Sequence, residues 1–242
     1  MKTKFILAVS SVIILTASSF TLTSDCSTFE QFVKGTQYTT TSYDPSGKVT
    51  GSVDATVSAI TVDGAKTTAT IDAISKNAAG ETQNSSSYDF ICEGGVIRMD
   101  LSAMASQMAK AAGGGQDADV TIEADQLEFP AGITVGQVLP GGNIKVTVKA
   151  KGSPMAAVTH VTIKDRKCVA IESRTTPAGT WECYKITSTI EGTTKMMNME
   201  MPVAPRQSTE WFNYKVGSVR TESYSNGKMD GYTELTKFTK PQ

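Results

Sequence analysis

From Lys48 onward the chain runs in short apolar–polar alternations separated by glycine-containing turns. Ile144, Val146 and Val148 fall on one side of an extended segment, and Lys145, Thr147 and Lys149 fall on the other. This period of two is the signature of a strand with one face wet. Runs rich in Thr, Val, Ile and Tyr at 48–61, 66–75, 82–92, 143–150, 157–164, 181–190, 218–224 and 232–238 predict strands. Asp44-Pro45-Ser46-Gly47, Asp63-Gly64, Asn77-Ala78-Ala79-Gly80, Glu93-Gly94-Gly95 and Asn226-Gly227 predict the tight turns of an antiparallel meander. One stretch has a different period. Leu101, Met104, Ala105 and Met108 recur at helical spacing behind Asp100 and Ser102, and Gly113-Gly114-Gly115 follows. A single short helix over 100–112 is expected there. The segment 124–142, with two prolines and several glycines, is expected to cross over without pairing.

The segments 42–51 and 223–231 echo each other. Ser-Tyr, Gly-Lys and a following Gly coincide once one deletion is allowed, so both ends of the chain are expected to carry the same kind of hairpin.

The amino terminus changes the setting. Lys2 and Lys4 precede an apolar run from Phe5 to Leu15, and Ala17 and Ser19 satisfy the small-x-small cleavage rule. Residues 1–19 are thus expected to be a signal peptide, leaving one domain over 20–242 in the periplasm or outside the cell. Asp25 argues against a lipid anchor on Cys26. No later stretch is long and apolar enough to span a bilayer, so the mature chain is not expected to be integral to a membrane. With 23 basic and 24 acidic residues there is no basic excess for a nucleic acid. Cys26, Cys92, Cys168 and Cys183 all follow the cleavage site, and an even count in an exported chain predicts two disulfides. Cys168 with Cys183 and Cys26 with Cys92 is the first expectation, although directly opposed cysteines would need a turn between Thr175 and Thr176. The likelier turn residues by type are Pro177-Ala178-Gly179, so a bulge or another connectivity stays open.

The stretch Thr176-Pro177-Ala178-Gly179-Thr180-Trp181-Glu182-Cys183-Tyr184-Lys185-Ile186 resembles a strand pair of exported bacterial proteins of the TapB type. Val216-Gly217-Ser218-Val219-Arg220-Thr221-Glu222 with its Gly-Lys hairpin, and Cys92-Glu93-Gly94-Gly95, extend the likeness over most of the mature chain. Such proteins look related to the half-barrel superfamily of the lipoprotein carrier LolA and the stress sensor RseB. The resemblance implies a mainly β fold: a strongly curved antiparallel sheet with the one short helix over its concave face. It implies no catalytic residues.

Chemistry-bearing patterns are sparse. His160 is the only histidine and sits in a strand pattern as a surface residue. The chain lacks G-x-S-x-G and H-E-x-x-H, and with one histidine and no C-x-x-C pair it predicts no metal site, no cofactor and no enzyme. Methionine is the exception. In Met196-Met197-Asn198-Met199-Glu200-Met201, an extended backbone would put Met197, Met199 and Met201 on one face. Thioethers at that spacing could hold Cu(I), pack a core, or form an adaptable apolar surface. Together with Leu101, Met104 and Met108 on the helix they define the candidate ligand site. A lipid or a lipidated partner in the concave sheet is the expected ligand; a structural or interaction module with a filled core is the alternative. Trp181, Trp211 and Phe212 are expected to be buried anchors.

Overall fold

The computed structural model describes residues 29–111, 118–152, 155–197 and 199–241. The proposed signal peptide and Cys26 lie outside the described residues. Thirteen strands form one antiparallel sheet: β1 (Gln37–Tyr43), β2 (Val49–Asp63), β3 (Lys66–Asn77), β4 (Thr82–Glu93), β5 (Val96–Asp100), β6 (Ala118–Ala124), β7 (Gln126–Pro130), β8 (Gly142–Ala150), β9 (Ala156–Thr176), β10 (Gly179–Met196), β11 (Met199–Asn213), β12 (Gly217–Ser225) and β13 (Lys228–Thr239). Their order is β6-β8-β9-β10-β11-β12-β13-β1-β2-β3-β4-β5-β7.

The two edge strands, β6 and β7, are neighbours in sequence with only Asp125 between them. The sheet therefore curls until its edges nearly meet, which removes most of the exposed edge. Asp125 pins this junction: its amide donates to the Asn143 carbonyl at 2.9 Å, and its carboxylate accepts from the Asn143 amide at 2.8 Å. Of the crossing segment 124–142, residues 126–130 do pair, with β5 at the far edge. The expectation of an unpaired crossover is corrected there, because Leu127 and Phe129 carry the period-two pattern that buries them.

The one α-helix among the described residues, α1 (Ser102–Ala111), begins where Asp100 accepts a bond from the Ser102 amide at 2.8 Å. It packs against β4 on one side and β6 and β8 on the other. It thus fills the seam above the short β5 and β7, its buried stripe Leu101, Ala105 and Ala109 facing the concave side of the sheet.

The core lies on that concave side. Ala55, Val57, Ala69, Ile71, Ile144, Val146, Ile186 and Phe212 are all buried. Phe129 and Phe212 stack with centroids 4.1 Å apart. A 3-10 turn at Glu30–Phe32 closes one end of the barrel, with Phe29 packed between Phe32 and Tyr214 and the Gln31 amide donating to the Val216 carbonyl at 2.6 Å.

The sequence echo is real structure: the hairpins β1–β2 and β12–β13 are adjacent, and Tyr43 stacks on Tyr232 at 4.8 Å. Gly51 and Gly231 are needed because a Cβ there would come within 2.7 Å of the Lys76 carbonyl oxygen and 2.6 Å of that of Tyr43.

Cys168 and Cys183 are free thiols, correcting their expected pairing. Cys168 lies opposite Ile186, three residues along β10 from Cys183, which faces Glu172. Three residues of strand is about 10 Å, beyond the roughly 7 Å between Cα atoms that a disulfide spans. Burial pushes the Cys183 thiol up to about 12. Cys92 is buried and is not free; its expected partner Cys26 lies outside the described residues.

Candidate functional site

Two regions of the concave side stand apart from the packed core. The first is at the end of the barrel where β10 turns into β11. Met196 pairs with Met199, so Met197 lies in the turn, with φ 51°. The expectation that Met197, Met199 and Met201 share one face of an extended segment is corrected: Met197 is in the turn, and Met196 takes its place. The ladder carries the face onward. Met196 lies opposite Ala157, which lies opposite Val148, which lies opposite Val120. Thr194 and Met201 occupy the same face one step lower, and Gly192 and Val203 the next. Val148 and Val146 belong to the buried core, so Met196, Met199, Met201 and Val203 continue the concave apolar surface beyond the part that α1 covers. All four are exposed, Met199 by 58%. The free edge of β11 here holds Pro202 and Pro205, which lack the amide needed to extend the sheet.

Of the helical candidates, Leu101 is buried in the core, Met108 packs against it, and Met104 is exposed on the flank. The structure thus gathers the six predicted residues at one end of the barrel only in part. Met199 and Met201 share a surface, Met104 is exposed elsewhere on the seam, and Leu101 is structural.

Across the barrel, at the same end, the concave face changes character. The register gives it Ser75, Asn84 and Ser86 on β3 and β4, while Thr221, Ser223 and Thr233 on β12 and β13 continue the polar face round to β11. Along β4 these positions are less exposed than Ser85 and Ser87 between them, as an inward direction requires. β3 lies six places from β10 in the sheet, so the polar positions of β3 and β4 stand across from the methionine wall, and Lys110 of α1 donates to the Asn84 side chain there. Arg206, on the rim between them, is engaged by Asp230 at 3.9 Å.

The second region is inside the barrel. A cavity of about 150 Å³ is lined by Tyr38, Tyr88, Phe90, Ile97, Phe129, Glu210 and Phe212. The Tyr38 and Tyr88 hydroxyls are 3.2 Å apart, and burial raises both phenols. Burial also pushes the Glu210 carboxyl up, towards its neutral form, opposed by the field of Arg166 and a hydrogen bond from Ser218. Arg166 is buried too. It donates from Nη1 to the carbonyls of Pro140 (2.6 Å) and Glu128 (3.1 Å), stands 4.8 Å over the Phe129 ring, and leaves Nη2 without a partner. Sequence reasoning missed this region. In Ser208-Thr209-Glu210-Trp211-Phe212 both parities contain an aromatic residue, so alternation alone did not say which side was inside.

His160 is exposed on the outer face of β9, and no cluster of His, Cys, Asp and Glu suited to a metal ion occurs among the described residues. Trp211 and Phe212 are buried, as expected of anchors. No described helix is long and apolar enough to cross a membrane.

The profile of the DUF3108-like family matches residues 33–235. The chain belongs to that family. The match runs from just before β1 to β13, so the family pattern is the whole barrel with its seam helix. Two solved structures share the fold. One, a candidate exported protein with a YmcC-like fold from Bacteroides fragilis, aligns at a TM-score of 0.66 and 22% identity, over 86% of this chain and 96% of its own. The other, a candidate lipoprotein from Parabacteroides distasonis, aligns at 0.70 and 23%, over 88% of this chain and 98% of its own. The chain matches no curated protein.

Proposed function

We propose that this family member is an exported, non-enzymatic binding protein whose ligand is an amphiphile held at the open end of the barrel. The observation that carries the reading is the exposed row Met196, Met199, Met201 and Val203 on the same concave face that is buried core a few residues below. Large apolar side chains left uncovered in continuity with a core mark a binding surface, and methionine adapts to chains of irregular shape. Covering such half-exposed side chains is worth about 1 kcal/mol each. The polar positions opposite, Ser75, Asn84 and Ser86, offer hydrogen bonds to a polar head.

The export implied by the structural neighbours and the resemblance to carrier and sensor half-barrels support the same reading. The barrel interior does not provide the site, because 150 Å³ is well below the roughly 300–1,000 Å³ of drug-sized ligand pockets. That filled interior favours the second reading, a protein-interaction module with no small ligand.

Native mass spectrometry of the mature protein from its exporting host, followed by organic extraction, separates the two. A stoichiometric amphiphile bound to the wild type and lost from Met199→Ser/Met201→Ser is the expected result. A bare mass, with no uptake of dodecyl maltoside afterwards, sinks the ligand reading.

A further inference from the structure

We propose that the cavity inside the barrel is a separate binding site for a neutral, ring-sized molecule carrying one hydroxyl or carbonyl group. Size sets the first limit. About 150 Å³ is the volume at which an apolar protein cavity accepts benzene, and here the rings of Tyr38, Tyr88, Phe90, Phe129 and Phe212 share the walls with the polar Gln31, Thr40, Glu210 and Ser218. Charge sets the second. Among the described residues no cation comes within ion-pair distance of the Glu210 carboxyl, and the nearest field acting on it is that of Arg166, which sits over Phe129. A cationic ligand would meet that field. An anionic one would have to give up its hydration in a pocket whose lining offers it no cation.

Hydrogen bonding sets the third limit. When two hydroxyls bond to each other, one proton is left over, so the Tyr38–Tyr88 pair keeps one O–H to donate. The Glu210 carboxyl offers acceptor oxygens in either protonation state, and Ser218 occupies only part of that capacity. A ligand hydroxyl or carbonyl at this polar end would be satisfied, and its ring would fill the aromatic space. The site is independent of the methionine wall, which lies at the open end of the barrel.

The test is ¹⁹F NMR on the full chain at pH 7 with three probes: 4-fluorophenol, fluorobenzene and 4-fluorobenzoate. Expected are saturable one-to-one binding of 4-fluorophenol, at least tenfold weaker binding of fluorobenzene, and none of the benzoate. Glu210→Leu should weaken 4-fluorophenol at least tenfold, and Glu210→Gln by less than threefold. Met199→Ser/Met201→Ser should bind it as the wild type does, which separates this site from the open end. Should Glu210→Leu not fold, Tyr88→Phe carries the same comparison with an expected fivefold loss. Absence of saturable binding, meaning the cavity holds water alone, overturns the proposal. So does 4-fluorophenol binding that Glu210→Leu or Tyr88→Phe leaves unchanged.

Discussion

Glu210 and Glu222 are one cross-strand step apart, since Thr209 faces Glu222, yet they point to opposite sides of the sheet. Burial acts to raise both carboxyls. At Glu222 it is outweighed by hydrogen bonds from Tyr224 (2.5 Å) and Arg220 (2.7 Å), and the group is held below its ordinary value of 4.5. At Glu210 burial wins. The two should give opposite pH dependences of stability. The Glu222 contribution is present above pH 4.5 and is lost as pH falls through its lowered value, so Glu222→Gln should flatten the acid limb of the stability curve. Glu210 retains its proton where the unfolded chain has lost it, so stability falls as pH rises above 4.5 towards the raised value. Glu210→Gln should therefore gain on wild type across that window, read from urea midpoints at several pH values. A Glu210→Gln difference independent of pH would mean the carboxyl is ionised throughout. The buried thiols make a simpler prediction: iodoacetamide at pH 8 should leave Cys168 and Cys183 intact in the native protein and modify both in urea.

Elements show what alternation can and cannot reveal. β8 was legible because Ile144, Val146 and Val148 face a dry core and Lys145 and Lys149 face water. The helix was legible because Leu101, Ala105 and Met108 keep a period that no strand shares. Leu101→Ala should cost about 2–5 kcal/mol in a denaturant melt, since the side chain is wholly buried at the seam. Met199→Ser/Met201→Ser should change stability by under about 1 kcal/mol, since both side chains are exposed. The β10–β11 turn was missed because Met197-Asn198 carries no glycine or proline, so Met196 to Met201 read as one extended run. β5 and β7 were missed because five residues give too few alternations to stand out. The cysteine pairing failed because of where the turn sits: with Pro177-Ala178 as the turn, Glu172 falls opposite Cys183, and the bulge between Lys185 and Ile186 brings Cys168 only as far as Ile186.

For the whole molecule, closure was the least legible property. Nothing in the residues of 124–126 announces that the chain steps from one edge of a thirteen-stranded sheet to the other at Asp125. That step makes a nearly closed barrel of what the resemblance implied was a half-barrel, and it divides the concave side in two. Below, the interior is packed around one ring-sized cavity. Above, an apolar methionine wall faces the polar positions of β3 and β4 across an open end. A titration of methyl-¹³C-methionine protein with dodecyl maltoside below its micellar concentration tests the central claim most directly. The account predicts saturable shifts at Met196, Met199 and Met201, with Met99 in the interior unmoved. Shifts absent from those three methyls, or spread evenly over all methionines, would contradict it.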